Sequence, residues 1–389
     1  MATKGARRGR RGTVAGMPPR PGGLALTALV VLVATACLTV FGSAALGSSA
    51  PRSGRAAALI TKARCNRNKA AGTINFISPF GYDASAGIID AFMAQQLGYF
   101  KQLCLTVAFN ASSFTSEQLV SSGQGQVTGI GSAADAILSA ASGANLTTVA
   151  TYGNTDPHAI YTQSSITSLK QLDGGTLGYH TNMTPAAVAM LIKAGANVSS
   201  IHLISLTSYD PTVVTRGQID GALGFASNEP LQLKALGQPF NEFTPSQFGI
   251  KGTYNVMQFN TDFLKAHRAV VADFMRADLK ALAYCLGHQI ICVKYMADLA
   301  TAANQGQAFP YARELATWKW ESRYILNDHI GGYGVQTVAE WRTEWQEVNQ
   351  YGTLCGLTAS DVVPPIAKVM DPTLVAGLYN GTKLIWPGS

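Results

Sequence analysis

Along residues 72–239 the apolar positions switch repeatedly between a two-residue and a three-to-four-residue period. Thr73–Ser78 (TINFIS) alternates and is rich in branched and aromatic residues, which predicts a strand. Pro79-Phe80-Gly81-Tyr82-Asp83 reads as a turn. In Ala84–Leu97 the residues Ile88, Ile89, Phe92, Met93 and Leu97 fall on one side of a helix, and Gly98 closes it. Strands follow at Leu105–Phe109, Val127–Ile130 and Leu146–Tyr152, with helices at Ser116–Ser121 and Ala133–Ala141 between them. A second set has strands at Thr176–Tyr179, Ile201–Ser205 and Gly221–Phe225. Its helices are Ser168–Leu172, Pro185–Gly195 and Pro211–Gly217. After Phe240 the pattern is mostly helical, over 261–286, 291–304, 309–328, 335–349 and 371–379. Strands alternating with helices predict parallel or mixed sheets covered on both faces. The expected architecture is two α/β lobes: 72–155 with 250–389 as lobe I, and 156–249 as lobe II. The chain crosses between them near 152–160 and 240–256, and the C-terminal helices complete lobe I.

Upstream the pattern changes. Residues 7–11 read RRGRR, Arg20 follows, and Leu24–Leu46 is an uncharged apolar run of 23 residues. Basic, apolar, then small residues is the layout of a secretory signal, and the run is also long enough for an uncleaved membrane anchor. Residues 1–46 are therefore expected to be a signal peptide or N-terminal anchor, placing the body outside the cytoplasm. Cys37, in Ala34-Thr35-Ala36-Cys37, resembles a degenerate lipidation site, although the apolar Leu38-Thr39-Val40-Phe41 behind it is atypical. Residues 47–71, rich in Ala, Ser and Arg, read as a flexible tether.

Charge sharpens this division. The formal net charge is +7, yet twelve of the 29 Lys and Arg fall in residues 1–70, where no Asp or Glu occurs. The remainder carries 17 basic against 22 acidic residues, so the body is mildly acidic and the basic excess belongs to the leader. Nucleic-acid binding is not expected of such a body. The 13% charged content is about half the usual ~25% while apolar content is ordinary, which excludes a charge-driven disordered chain. Five cysteines lie beyond Cys37, and outside the cytoplasm they are expected to pair. Cys285 and Cys292, bracketing LGHQII, are the first candidate pair, and Cys65 with Cys104 the second. Cys285, His288 and Cys292 also have zinc-like spacing but lack a fourth ligand nearby. No histidine pair, nucleophile elbow, phosphate loop or carboxylate pair marks a catalytic centre. Neither a metal nor a cofactor is expected.

Four segments carry a family likeness. SPFGYDASAGIIDAFMAQQLGYF (78–100) resembles the opening of solute-binding proteins of the NMT1/THI5-like group, which serve ABC importers of sulfonates, nitrate and thiamine-pyrimidine precursors. GSAADAILSAASGANLTTVATYG (131–153) looks like their third strand–helix–strand. ITSLKQLDGGTLG (166–178) looks like their passage into the second lobe, and RGQIDGALGFASNEPLQLKALG (216–237) like their "G-x-V-D-A…N-E-P" stretch. The resemblance, over roughly 72–356, implies a type-II periplasmic-binding fold: two lobes, two hinge crossings and a ligand in the cleft between them.

Ligands of open α/β sheets sit at the carboxyl ends of strands. The loops there are 79–85, 110–115, 131–135, 180–184, 207–210 and 226–229. Phe80 and Tyr82 can stack on a planar ligand or cover a helix start. Asp83 and Ser132 can bind it or cap helices. Thr181 and Asn182 precede a helix whose free N–H groups suit an anion. Glu229, beside Asn228 in Asn228-Glu229-Pro230, needs a partner for its carboxylate in an apolar stretch, such as a ligand amine or an interlobe ion pair. Tyr254 and Asn255 lie near the second crossing. The expected function is that of an extracytoplasmic, monomeric solute-binding component that delivers a small molecule to an ABC permease. Acidic candidates (Asp83, Asp135, Glu229) favour a pyrimidine-like or amine-bearing heteroaromatic over a sulfonate or nitrate. The alternatives are an enzyme on the same fold, of thiamine-pyrimidine or menaquinone-pathway type, and an extracellular sensor domain.

Overall fold

The structure is a computed structural model that describes residues 59–111, 115–325 and 331–388. The leader expected over 1–46, with Cys37, lies outside the described residues, as does the first half of the expected tether. The second half of that tether is a helix, contrary to the reading from composition. Thr61 accepts the Arg64 N–H at 3.3 Å and opens α1 (Lys62–Ala70). Arg64 is buried and grips Asp273 at 2.6 and 2.9 Å, Asn68 donates to the same carboxylate at 2.7 Å, and Cys65 is disulfide-bonded to Cys104. Basic residues that a linker would leave in water converge instead on one buried acid.

Gly72, at φ 77°, turns the chain into β1 (Thr73–Ile77), whose Ile74 and Phe76 are fully buried. Then come α2 (Ile89–Gln96), α3 (Tyr99–Gln102), β2 (Thr106–Asn110), α4 (Ser116–Ser121), β3 (Val127–Ile130), α5 (Ala133–Ala141) and β4 (Leu146–Gly153). The helix expected from Ala84 starts only at Ile89. The N–H groups of Ala84 and Ala86 are taken by the buried carboxylates of Glu314 (2.7 Å) and Glu321 (3.1 Å), which holds 84–88 as a turn.

Four residues carry the chain across to β5 (His158–Gln163), followed by β6 (Thr176–Tyr179), α6 (Pro185–Lys193), β7 (His202–Ser205), α7 (Thr212–Thr215), β8 (Gly221–Phe225), α8 (Glu229–Ala235) and β9 (Phe240–Phe243). These strands form a second sheet of order β7-β6-β8-β5-β9, parallel in β7-β6-β8 and antiparallel at β5. After a second crossing over 244–253, β10 (Tyr254–Asn260) returns to the first sheet, of order β2-β1-β3-β10-β4, and runs antiparallel between β3 and β4. β5, β9 and β10 fall where the sequence pattern showed crossings or helices. β5 and β10 are almost wholly buried, so neither displays the alternation that marks a half-exposed strand. The result is two α/β lobes joined by two crossings, as expected.

The rest is helical: α9 (Thr261–Gly287, kinked at His267), α10 (Gln289–Ala302), α11 (Tyr311–Glu321), α12 (Val338–Tyr351) and α13 (Ile366–Val369). The helix expected over 371–379 does not form. The Asp371 carboxylate accepts the N–H groups of Thr373 (2.9 Å) and Leu374 (3.2 Å), a local turn that competes with helix. The chain then enters the hairpin of β11 (Tyr379–Asn380) and β12 (Lys383–Leu384). α9 packs on α2, whereas α12 packs on both α5 of lobe I and α6 of lobe II.

Cys285 and Cys292 are buried free thiols, not the disulfide expected of them. They occupy the last turn of α9 and the first turn of α10, and both side chains belong to the apolar core of lobe I. Burial, with the Cys292 thiol beside it, pushes the Cys285 thiol far above its ordinary pKa. The zinc alternative fails too. His288 Nδ1 pairs with the Tyr284 carbonyl at 2.9 Å, and among the described residues no three ligating groups converge on a metal position.

Candidate cleft between the lobes

Six loops leave the carboxyl ends of β1, β2, β3, β6, β7 and β8, and all six line one cleft of about 1460 Å³. Helix α11 and the chain just before it close one side through Phe309 and Arg313. Of the residues expected to meet a ligand, Phe80, Tyr82, Asp83, Thr181, Asn182, Asn228 and Glu229 lie on its wall. Ser132 and Tyr254 do not. Ser132 is buried, and its hydroxyl accepts the Asp135 N–H at 3.2 Å and donates to the Asp135 carboxylate at 2.9 Å, so it caps α5. Tyr254 fills the space left by Gly153, where a Cβ would lie 2.7 Å from its ring. Asn255 is likewise internal and donates to Ser85 Oγ (2.7 Å) and the Ala86 carbonyl (2.9 Å).

The aromatic lining comes in pairs. Phe80 of lobe I meets Phe225 of lobe II edge-on, with ring centroids 5.9 Å apart. Tyr82 meets Phe309 at 6.1 Å, and the His180 ring stacks on Tyr209 at 4.0 Å. Sequence reasoning placed His180 and Tyr209 within ligand-facing loops without singling them out. It passed over Phe225, Phe309 and Arg313. An aromatic at or just past a strand's carboxyl end was the signal available for Phe225 and Tyr209.

Glu229 begins α8 and is buried. Its Oε2 accepts the Phe225 N–H at 2.9 Å, which fixes the carboxylate, while Oε1 lies 4.0 Å from His180 Nε2. Burial pushes its pKa up to about 6, although the Phe225 N–H opposes the shift. His180 is moved the other way, below its ordinary value, by burial. His158, the first residue of β5, sits at the floor. Its Nδ1 is 2.8 Å from Asp156 Oδ1 and its Nε2 is 4.0 Å from Asp135 Oδ2. Burial would depress it, but Asp156, then Asp135 and Glu229, outweigh that and raise it.

Two further acids complete the wall. Burial, then repulsion from Glu314 and Glu321, holds Asp83 well above the carboxylate range. Glu117, on α4, is raised by burial to about 8. Arg313 is the sole lysine or arginine on this wall among the described residues, and its guanidinium is paired with Glu314 at 2.8 Å. The cleft is thus a large, aromatic-flanked cavity with a surplus of carboxyl groups. It can hold a planar or apolar body and receive hydrogen-bond donors or cations.

The family model described as NMT1/THI5 like matches residues 85–290. No curated protein matches the chain in sequence. Among solved structures, the chain is similar to the alkanesulfonate-binding protein SsuA from Xanthomonas axonopodis pv. citri bound to MOPS. That likeness has a TM-score of 0.57 at 13% identity and covers 77% of this chain and 98% of that one. The periplasmic aliphatic sulphonate binding protein SsuA from Escherichia coli gives 0.54 at 12% identity, covering 82% and 95%. A conserved Candida albicans gene product, described as exhibiting the generic periplasmic binding protein structural fold, gives 0.52 at 16% identity, covering 82% and 99%. At such identities the likeness establishes the fold, and that fold is the periplasmic-binding one.

Proposed function

The chain belongs to the NMT1/THI5-like family, and from that premise we propose that it is the extracytoplasmic solute-binding component of an ABC importer. It captures a small amine-bearing organic molecule, with a planar heteroaromatic body favoured, between its lobes and presents it to a membrane permease. Glu229 carries this reading. It is a buried carboxylate on the cleft wall, fixed by a backbone N–H, with no lysine or arginine within ion-pair distance among the described residues. A buried charge needs a partner, and a ligand amine supplies one.

Two of the similar structures are named for sulfonates. On this chain a sulfonate would face Asp83, Glu117, Asp135 and Glu229, with Arg313 already engaged by Glu314. Recognition of an oxyanion needs free guanidinium or dense N–H donors, and the cleft offers the reverse. Phe80, Tyr82, Asp83, Thr181, Asn182, Asn228 and Glu229 are the proposed contact residues. Export is supported by the Cys65–Cys104 disulfide, a bond that persists in oxidising compartments. Among the described residues no helix is long and apolar enough to cross a membrane.

The test is a thermal-shift panel of aminopyrimidines, other heteroaromatic amines and alkanesulfonates. A true ligand at 100 times its Kd adds about 2.7 kcal/mol of stability. Glu229→Gln is expected to weaken an amine ligand by at least about tenfold, the loss of one desolvated charge-assisted contact. Stabilisation by sulfonates alone, unaffected by Glu229→Gln, would overturn the reading.

A further inference from the structure

The cleft has two acidic poles, one on each lobe. On lobe II, Glu229 presents Oε1 beside His180 while Oε2 is held by the Phe225 N–H. On lobe I, Glu117 lies on the wall together with Ser139, whose hydroxyl hydrogen-bonds it. Glu117 Oε1 is sealed from solvent and meets no hydrogen-bond donor in the protein. Asp135 is its acidic neighbour and carries contacts of its own from the Ser132 hydroxyl (2.9 Å) and His158 Nε2 (4.0 Å). The wall also has aromatic rings from both lobes. Phe80 and Phe225 meet edge-on, and the His158 ring lies 5.0 Å from Phe225.

A carboxyl oxygen without a donor, on a side chain that lines the cleft, is a site awaiting one. Within the protein, no lysine or arginine among the described residues comes within ion-pair distance of Glu117, Asp135 or Glu229. Arg313 is committed to Glu314. A single ammonium can reach one pole and leaves the other with only its contact to Ser139 or to the Phe225 N–H. Aromatic rings on the same wall as the two carboxyl groups favour an apolar or aromatic linker and add cation–π attraction at its ends.

We propose that the ligand is an organic dication or diamine, with one nitrogen on Glu229 of lobe II and a second on Glu117 and Asp135 of lobe I, its apolar span lying against Phe80 and Phe225. Such a molecule ties the two lobes together directly. The proposal rests on the reading of the cleft as a solute-binding site and narrows its ligand class.

The experiment is isothermal titration of the purified chain with three probes: 1,4-diaminobutane, butylamine and ethanesulfonate. The diamine is expected to bind at least about tenfold more tightly than the monoamine, the size of one additional desolvated charge pair. Glu117→Gln, isosteric and uncharged, is expected to cut that preference to below about threefold. Equal affinities for the two amines in the wild-type protein overturn the second pole while leaving the amine reading intact. Binding of ethanesulfonate with neither amine bound overturns both. Binding of none of the three overturns the dication. Because the wild-type comparison needs no variant, a Glu117→Gln protein that fails to fold still leaves a decisive result.

Discussion

Replacing Cys65 and Cys104 together by serine tests how the N-terminal helix is held. The disulfide closes a loop spanning 39 positions in sequence. In the chain-entropy account, such a loop removes about 13 cal/mol/K from the unfolded ensemble, or about 4 kcal/mol at 25 °C. The described body has about 330 residues, so its unfolding entropy near the melting temperature is on the order of 0.7 kcal/mol/K. The two figures give a fall in Tm of about 6 °C. The helix itself should stay docked in the variant, because Arg64 remains bound to Asp273 and to the Pro387 and Gly388 carbonyls. The loss is therefore paid by the unfolded state, and the folded protein should keep its ligand affinity. Differential scanning fluorimetry of the variant, and of the wild type with and without reductant, reads the effect. A drop below about 1 °C in both would refute the loop-closure reasoning.

Two other perturbations probe the interior. Asp90 and Asp278 are fully buried side by side, and Tyr152 donates its hydroxyl to Asp278 at 2.8 Å. Burial pushes Asp90 up to about 6, and burial plus the charge of Asp90 holds Asp278 well above its ordinary value. Raised carboxyl pKa values mean that the folded state keeps protons the unfolded chain releases above about pH 4, so each pH unit beyond that costs up to about 1.4 kcal/mol until the folded groups ionise. Asp278→Asn is expected to gain stability over wild type as the pH rises from 5 to 8 in thermal melts, and a gap that stays constant or narrows refutes the assignment. Glu344, on α12, accepts the N–H groups of Ala134 (3.0 Å) and Thr253 (3.0 Å) and the Thr253 hydroxyl (3.2 Å). Glu344→Ala strands two buried N–H groups at about 1–3 kcal/mol each, and a cost below about 1 kcal/mol in urea titration would show that water replaces the carboxylate.

The cleft was legible because its loops are announced by strand ends, and all six expected loops reach it. What each residue does there was less so. Ser132 and Glu229 both sit where a strand gives way to a helix, yet one caps its own helix and the other turns back to the Phe225 N–H on the cleft wall. The choice depends on the backbone angle at the junction, which composition does not encode. Glu117 was invisible for a different reason. A glutamate in the first turn of a short helix is ordinary, and only its surroundings in the fold bury it and leave its Oε1 without a donor. β5 and β10 escaped because buried strands lack alternation. Arg64 escaped because its partner, Asp273, lies 209 residues away.

The place of β10 has a consequence for how the chain matures. Lobe II is continuous, and its last strand is complete at Phe243. β4, by contrast, among the described residues finds its sheet partner in β10 alone, apart from a single bridge at Met370. A polypeptide emerging amino end first therefore carries an apolar, unpaired edge through the synthesis of about a hundred further residues before Tyr254 arrives to cover it. The half made first is finished last, and that interval is when a holding chaperone has most to shield.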